Sequence, residues 1–220
     1  LTTDCGQSCA TQANGNYFAC TGSNCPSATV PTALQVQNPV ALLPKDNNGV
    51  IVELPSISLG GVPSVDGYLV LGIGTETNNQ PAKNLVSYGA DSSTGFFVSS
   101  FNGTNLTSFI DSGSNSYELP TPPGNILPDC GGVLAGYFCP SGTKILGAIM
   151  GGTPANTLTS AFEIGNFSTL EKTSNQVFIE VGNSDSNVFD WGLPFYLGRN
   201  IYVGIIGTTS SIGIGPYWAY

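Results

Sequence analysis

Thr107-Ser108-Phe109-Ile110-Asp111-Ser112-Gly113-Ser114-Asn115 is the stretch on which the reading of this chain turns. Two apolar residues, Phe109 and Ile110, run into an Asp-Ser-Gly-Ser turn, and a polar–apolar strand signal resumes through Tyr117 to Leu119. The pattern predicts a strand that delivers one carboxylate, Asp111, onto a tight turn. Ser112 and Ser114 put hydroxyls on both sides of that carboxylate, and Gly113 lets backbone approach it closely. A carboxylate held this way suits acid catalysis. Asp, Ser and Gly also make ordinary turns, so the motif gains meaning only from its apolar approach and from matching features downstream.

Composition narrows the field. Apolar residues make up 40% of 220 residues, enough to bury a full core as one large domain or two small ones. Charged residues make up only 9%, against ~25% in ordinary globular proteins, while Gly and Pro number 29 and 15. Many short strands joined by Gly, Asn and Ser turns are expected, with little helix. The formal charge is −9, and the only bases are Lys45, Lys83, Lys144, Lys172 and Arg199. Nucleic acid is excluded as a partner, because phosphate binding needs clustered Lys and Arg. A chain this poor in bases gains little positive charge when its carboxylates are protonated, so tolerance of acid is expected. There is no histidine, which removes His triads, His-ligated metals and imidazole bases. No cofactor or metal is expected.

Six cysteines, Cys5, Cys9, Cys20, Cys25, Cys130 and Cys139, lie in turn-rich polar sequence. Cys130 and Cys139 bracket a short loop and are expected to form one disulfide. The other four are expected to form two more, with their pairing open. Thiolate metal sites are the rival reading, and the spacings do not favour it. The expected location is therefore outside the cytoplasm: secreted, extracellular, periplasmic or cell-surface. No apolar run reaches the ~18 residues of a membrane span. Leu1 is neither a methionine nor part of a signal peptide, so a processed or excised piece is expected.

Residues 1–32 read as a cysteine-rich extension and residues 33–220 as the main lobe. Cys20-Thr21-Gly22-Ser23 mimics an Asp-Thr-Gly-Ser turn with Cys in place of Asp, and is read as a disulfide-bonded turn. Pro31–Val36 predicts one helical turn. The runs 39–43 and 50–54 are joined by Asp46-Asn47-Asn48-Gly49, an Asn-Gly hairpin signal. A buried strand is expected over Tyr68–Gly74, and further strands over 85–88, 95–101, 104–110, 145–150, 161–164, 177–181, 212–214 and 217–220. Asn102-Gly103 should turn the chain into the Asp111 strand. Asn102, Asn105 and Asn166 each begin an N-x-[ST] triplet, which marks exposed loops.

Four features fall in one order: the glycine-ended strand Leu69–Gly74; the strand–turn–strand Phe96–Ile110 entering Asp111-Ser112-Gly113-Ser114; the Cys130–Cys139 loop; and Tyr196-Leu197-Gly198 before a β-run. In that order they resemble the C-terminal lobe of a pepsin-like aspartic protease. Trp191-Gly192-Leu193-Pro194-Phe195 through Arg199, with Asp111–Asn115, is similar to segments of an uncharacterised bacterial family of secreted, aspartic-protease-like proteins. The resemblance implies an all-β fold: a single pepsin-like lobe of short, mostly antiparallel strands with a ψ-loop and little helix. It implies Asp111 as one catalytic carboxylate, Ser112 gripping the facing lobe, Ser114 bonded to the carboxylate, and Leu197 and Gly198 packed beside the turn. Arg199 stands where pepsins usually carry Asp; a structural role is expected, pairing Asp190 or anchoring the lobe edge.

One part is missing. Aspartic-protease chemistry uses two carboxylates around one water, and none of Asp4, Asp46, Asp66, Asp91, Asp129, Asp185 or Asp190 precedes [ST]-Gly. Three readings follow. The chain is the C-terminal half of an aspartic peptidase, inactive alone and completed by an N-terminal lobe of the same precursor acting on peptides. Or two copies meet on a two-fold axis, each offering Asp111. Or the lobe is a non-catalytic extracellular binding or assembly subunit whose sheet edges recruit partners.

Overall fold

The computed structural model describes residues 1–151, 158–185 and 187–220. Its strands are β1 (Gly49–Glu53), β2 (Tyr68–Leu71), β3 (Ser87–Gly89), β4 (Phe97–Phe101), β5 (Thr104–Ile110), β6 (Tyr117–Leu119), β7 (Lys144–Met150), β8 (Leu158–Ile164), β9 (Gly182–Ser184), β10 (Val188–Trp191), β11 (Asn200–Gly204) and β12 (Tyr217–Ala219). The helices are short: α1 (Gly6–Thr11), α2 (Phe167–Leu170) and α3 (Leu193–Tyr196). The fold is all-β, as the composition predicts.

The strands form two sheets, a five-stranded one ordered β2-β1-β11-β12-β3 and a seven-stranded one ordered β8-β7-β4-β5-β10-β6-β9. Asn102 and Gly103 both take positive φ, +51° and +78°, the backbone that matches a two-residue turn to the strand twist, and Phe101 pairs with Thr104 across it. The consequential step is at β10. It is inserted between β5 and β6, consecutive in sequence, running parallel to β5 and antiparallel to β6. The turn joining β5 to β6 carries Asp111, so a strand from some eighty residues later is threaded behind it. Both faces of β10 are covered. Phe189 and Trp191 point to one face and stack 4.4 Å apart, in contact with Phe162 and, through Trp191, with Tyr117 and Phe195. Asp190 points to the other.

Several expectations fail for local reasons. The Asp46–Gly49 segment closes no hairpin. Pro39 opens a single 3-10 turn, Pro39–Leu42, capped by the Asn38 side chain on the Val40 N–H. Asn48 turns inward, accepting from the Ile73 N–H and donating to the Ile73 and Thr209 carbonyls, and β1 pairs with β2 and β11 instead. Tyr68–Gly74 is no buried strand: β2 is the edge of its sheet, with Tyr68 75% and Leu69 63% exposed. Residues 177–181 form no strand, because their backbone is divided among separate partners. Val177 bridges Val62, the Glu180 carbonyl takes the Gly165 N–H, and the Val181 carbonyl takes that of Tyr117. Of 212–214 only a Thr209–Ile214 bridge survives.

The six cysteines pair locally: Cys5–Cys9, Cys20–Cys25 and Cys130–Cys139. Thr21 and Asn24 bridge within the second loop, so Cys20–Ser23 is the disulfide-bonded turn expected. The cysteine-rich segment lies against the lobe. The Leu1 carbonyl accepts from the Ile206 N–H, the Leu1 side chain covers Gly95, and Gln35 donates to the Gly6 and Val30 carbonyls. Among the described residues no helix is long and apolar enough to cross a membrane.

Candidate active site

Asp111 is the first residue beyond β5, and the threaded strand fixes its backbone. Its N–H donates to the Trp191 carbonyl at 3.1 Å, and its own carbonyl accepts from the Ser114 N–H at 3.3 Å, closing the turn. Two residues further along the thread, the Leu193 N–H donates to the Ser114 carbonyl at 2.7 Å. The carboxylate is held by its own turn. Oδ1 accepts from the Gly113 N–H at 2.8 Å and Oδ2 from the Ser114 hydroxyl at 3.3 Å. Asp111, Ser112 and Gly113 are exposed and Ser114 half-buried. The result is a fixed carboxylate on an open surface, with two donors shaping which lone pairs remain free.

Behind it stand two groups that the motif does not announce. Tyr196, 2% exposed, directs its hydroxyl to the Ile110 carbonyl at 3.4 Å and lies close to Ser112. Asp190, 1% exposed, has an oxygen, Oδ1, with no hydrogen-bond partner, and the Ser114 hydroxyl faces its carboxyl. Burial pushes Asp190 up to about 7; the Ser114 hydroxyl opposes that shift, while Asp111 and Glu118 add to it. Burial likewise raises Tyr196, which therefore stays protonated. Glu118, the cross-strand partner of Asp190, accepts from the Asn183 side chain at 3.4 Å.

Ser112, Gly113 and Ser114 sit around Asp111 where the motif puts them. Leu197 and Gly198 do not: Leu197 bridges Leu54, and the Gly198 N–H donates to the Leu54 carbonyl, so this pair braces the five-stranded sheet. The apolar-then-glycine element beside the turn is Trp191-Gly192, six residues earlier. The likeness between the two dipeptides hid this: a strand, β10, runs into Gly192, whereas the helix α3 runs into Leu197-Gly198. Nor does Arg199 pair with Asp190. Its guanidinium lies 4.4 Å over the Phe195 ring and donates to the Phe195 carbonyl at 2.8 Å. Asp190 had one legible signal, an acid inside the otherwise apolar run Val188-Phe189-Asp190-Trp191, where a buried charge needs a reason.

A cleft of about 260 Å³ opens beside the turn, lined by Asn115, Tyr137, Phe167, Val177, Phe178 and Leu193. A larger cavity, about 620 Å³, lies against residues 2–17 and is lined mainly by amides and hydroxyls. Its one acid, Asp4, is already engaged by the Gly6 N–H and the Gln37 amide, so it offers no reactive group. Among the described residues no three of His, Cys, Asp or Glu come together as a metal-binding group.

Residues 1–220 match, over their whole length, the family described as a protein of unknown function (DUF3443). The chain belongs to that family. Among curated proteins no relative matches it.

Proposed function

We propose that this chain is the C-terminal-type lobe of a secreted aspartic-peptidase-like protein, with Asp111 as one of two carboxylates that act on a peptide bond. The observation that carries the reading is the double grip on Asp111, the Gly113 N–H on one oxygen and the Ser114 hydroxyl on the other. A strand threaded between β5 and β6, the ψ-shaped arrangement of pepsin-like lobes, supports it. The grip holds the carboxylate aimed, placed to act as general base on a water once a second, protonated carboxyl faces it. That second group comes from another lobe of the same precursor, and the exposure of Asp111 is what such a partner requires. The cleft beside Asn115 and Leu193, which Ser116 and Gln176 also line, would take a side chain of the peptide. Three disulfides agree with an extracellular setting.

The test is digestion of an unfolded protein at about pH 4 by the full-length precursor product, wild type against Asp111→Asn. Hydrolysis should fall by roughly 10²–10⁴-fold, with the unfolding midpoint unchanged. Equal hydrolysis by both would remove Asp111 from the chemistry. Native mass distinguishes a partner lobe from a second copy of this chain.

The apolar edge strand favours a second reading. Tyr68, Leu69 and Leu71 are exposed on β2, which among the described residues has no neighbouring strand on one side. An unpaired, apolar edge recruits another strand, as a non-catalytic assembly subunit would. Ordered multimers that persist in Asp111→Asn and vanish when Leu69 becomes Lys would favour that reading.

A further inference from the structure

Two buried carboxyl groups stand out among the described residues, and their surroundings differ. Glu180 spends both oxygens, one on the Gly60 N–H and one on the Ile179 N–H. Asp190 is as deeply buried, yet its Oδ1 accepts nothing, and the one ion pair among the described residues, Lys45 with Glu76, lies elsewhere. An ionised carboxylate without donors or a cation is costly to bury. The neutral acid does not, and it brings a proton to donate. The Ser114 hydroxyl faces it. That hydroxyl has one proton, already given to Asp111 Oδ2, and two lone pairs free to accept.

We propose that Asp190, held as the neutral acid, is the positioning residue of this site: it donates to Ser114 and so commits the Ser114 proton to Asp111. The chain of donors runs from Asp190 through Ser114 to Asp111, from the buried thread to the exposed turn. The titratable groups facing Asp190 are Asp111 on the turn, Glu118 on β6 and Tyr196 on α3, and none of these is a cation. When Asp190 ionises, near pH 7, it becomes a second acceptor. Ser114 then has one proton for two carboxylates, and Asp111 loses its fixed partner while gaining a like-charged neighbour. The network itself needs no catalysis, but its consequence for hydrolysis rests on Asp111 being the catalytic carboxylate proposed above.

The first experiment is a carboxyl ¹³C NMR titration of the full chain as wild type, Asp190→Asn and Ser114→Ala. Wild type should show one Asp titrating near pH 7, and the Asp111 resonance should carry a second inflection at that same pH. Asp190→Asn, nearly the same shape and still a donor, removes both. Ser114→Ala keeps the late titration and weakens the inflection. An Asp190 that titrates in the ordinary range of about 4, or an Asp111 signal blind to it, overturns the proposal. The second experiment is the pH profile of hydrolysis by the full-length protein. Asp190→Asn should move the alkaline limb to higher pH, while Asp190→Leu, which cannot donate, should lower kcat by roughly tenfold at little change in KM. A wild type that hydrolyses nothing would sink the peptidase reading and leave the titration to decide the role of Asp190.

Discussion

A methyl group on Gly192 would stand 2.1 Å from the Ser116 carbonyl oxygen and 2.7 Å from that of Ser114. The backbone there is ordinary, with φ at −66°, so the demand for glycine comes from space and not from conformation. Gly192 is where the thread passes under the loop, and anything larger pushes the turn that holds Asp111 away from β10. Gly192→Ala should therefore cost roughly 1–3 kcal/mol in urea unfolding. It should also speed exchange of the Leu193 amide, whose bond to the Ser114 carbonyl depends on that closeness. Gly89 is the control: it is exposed on β3, and a Cβ there meets nothing within 4 Å. If the two alanine variants unfold alike, the close passage does not hold the turn.

At the scale of the element, β10 carries the architecture, and Trp191 fixes it in the core. The ring is fully buried, and its Nε1–H donates to the Ser99 hydroxyl on β4 at 3.0 Å, across the intervening β5. Trp191→Phe removes volume and leaves the fully buried Ser99 hydroxyl without that donor, a loss of roughly 2–4 kcal/mol. Ser99→Ala in the same background should recover part of it, because the stranded polar atom goes too; urea denaturation of the two single variants and the double gives the coupling. Additive losses would mean the indole bond contributes nothing. This element also marks what the sequence could say. The hairpin β4–β5, the Asp111 turn and its Ser and Gly partners were legible because each is encoded within a few neighbouring residues. The thread was not. Which apolar run lies beside β5 depends on pairing across some eighty residues, so Trp191-Gly192 and Leu197-Gly198 look equivalent until the sheet is closed. Asn48 misled for the same reason: its Asn-Gly pair is a local signal, and its distant carbonyls on Ile73 and Thr209 outweighed it.

For the molecule as a whole, the balance of fourteen acids against five bases sets the response to pH. At neutrality the chain carries −9, and with every carboxyl protonated its side chains carry only the five positive charges of Lys and Arg. Self-repulsion therefore decreases on the way into acid before it returns with modest size. Two individual groups act in opposite senses. Asp190 has its folded pKa raised to about 7, so the stability it contributes is complete below the unfolded carboxylate value and is lost as pH rises through 7. Asp91 is lowered by the Ser93 and Thr94 N–H groups and the Thr94 hydroxyl, so its contribution is present above the unfolded value and lost as pH falls through the folded one. Asp91 is exposed, and its share is small beside that of a buried acid. The free energy of unfolding should thus rise by roughly 2–4 kcal/mol from about pH 7.5 to about pH 4.5, and decline only below about pH 4. Urea titrations across that range check the curve, and in Asp190→Asn the rise should shrink to what the general charge balance supplies. Cooperative unfolding already near pH 5 would contradict it.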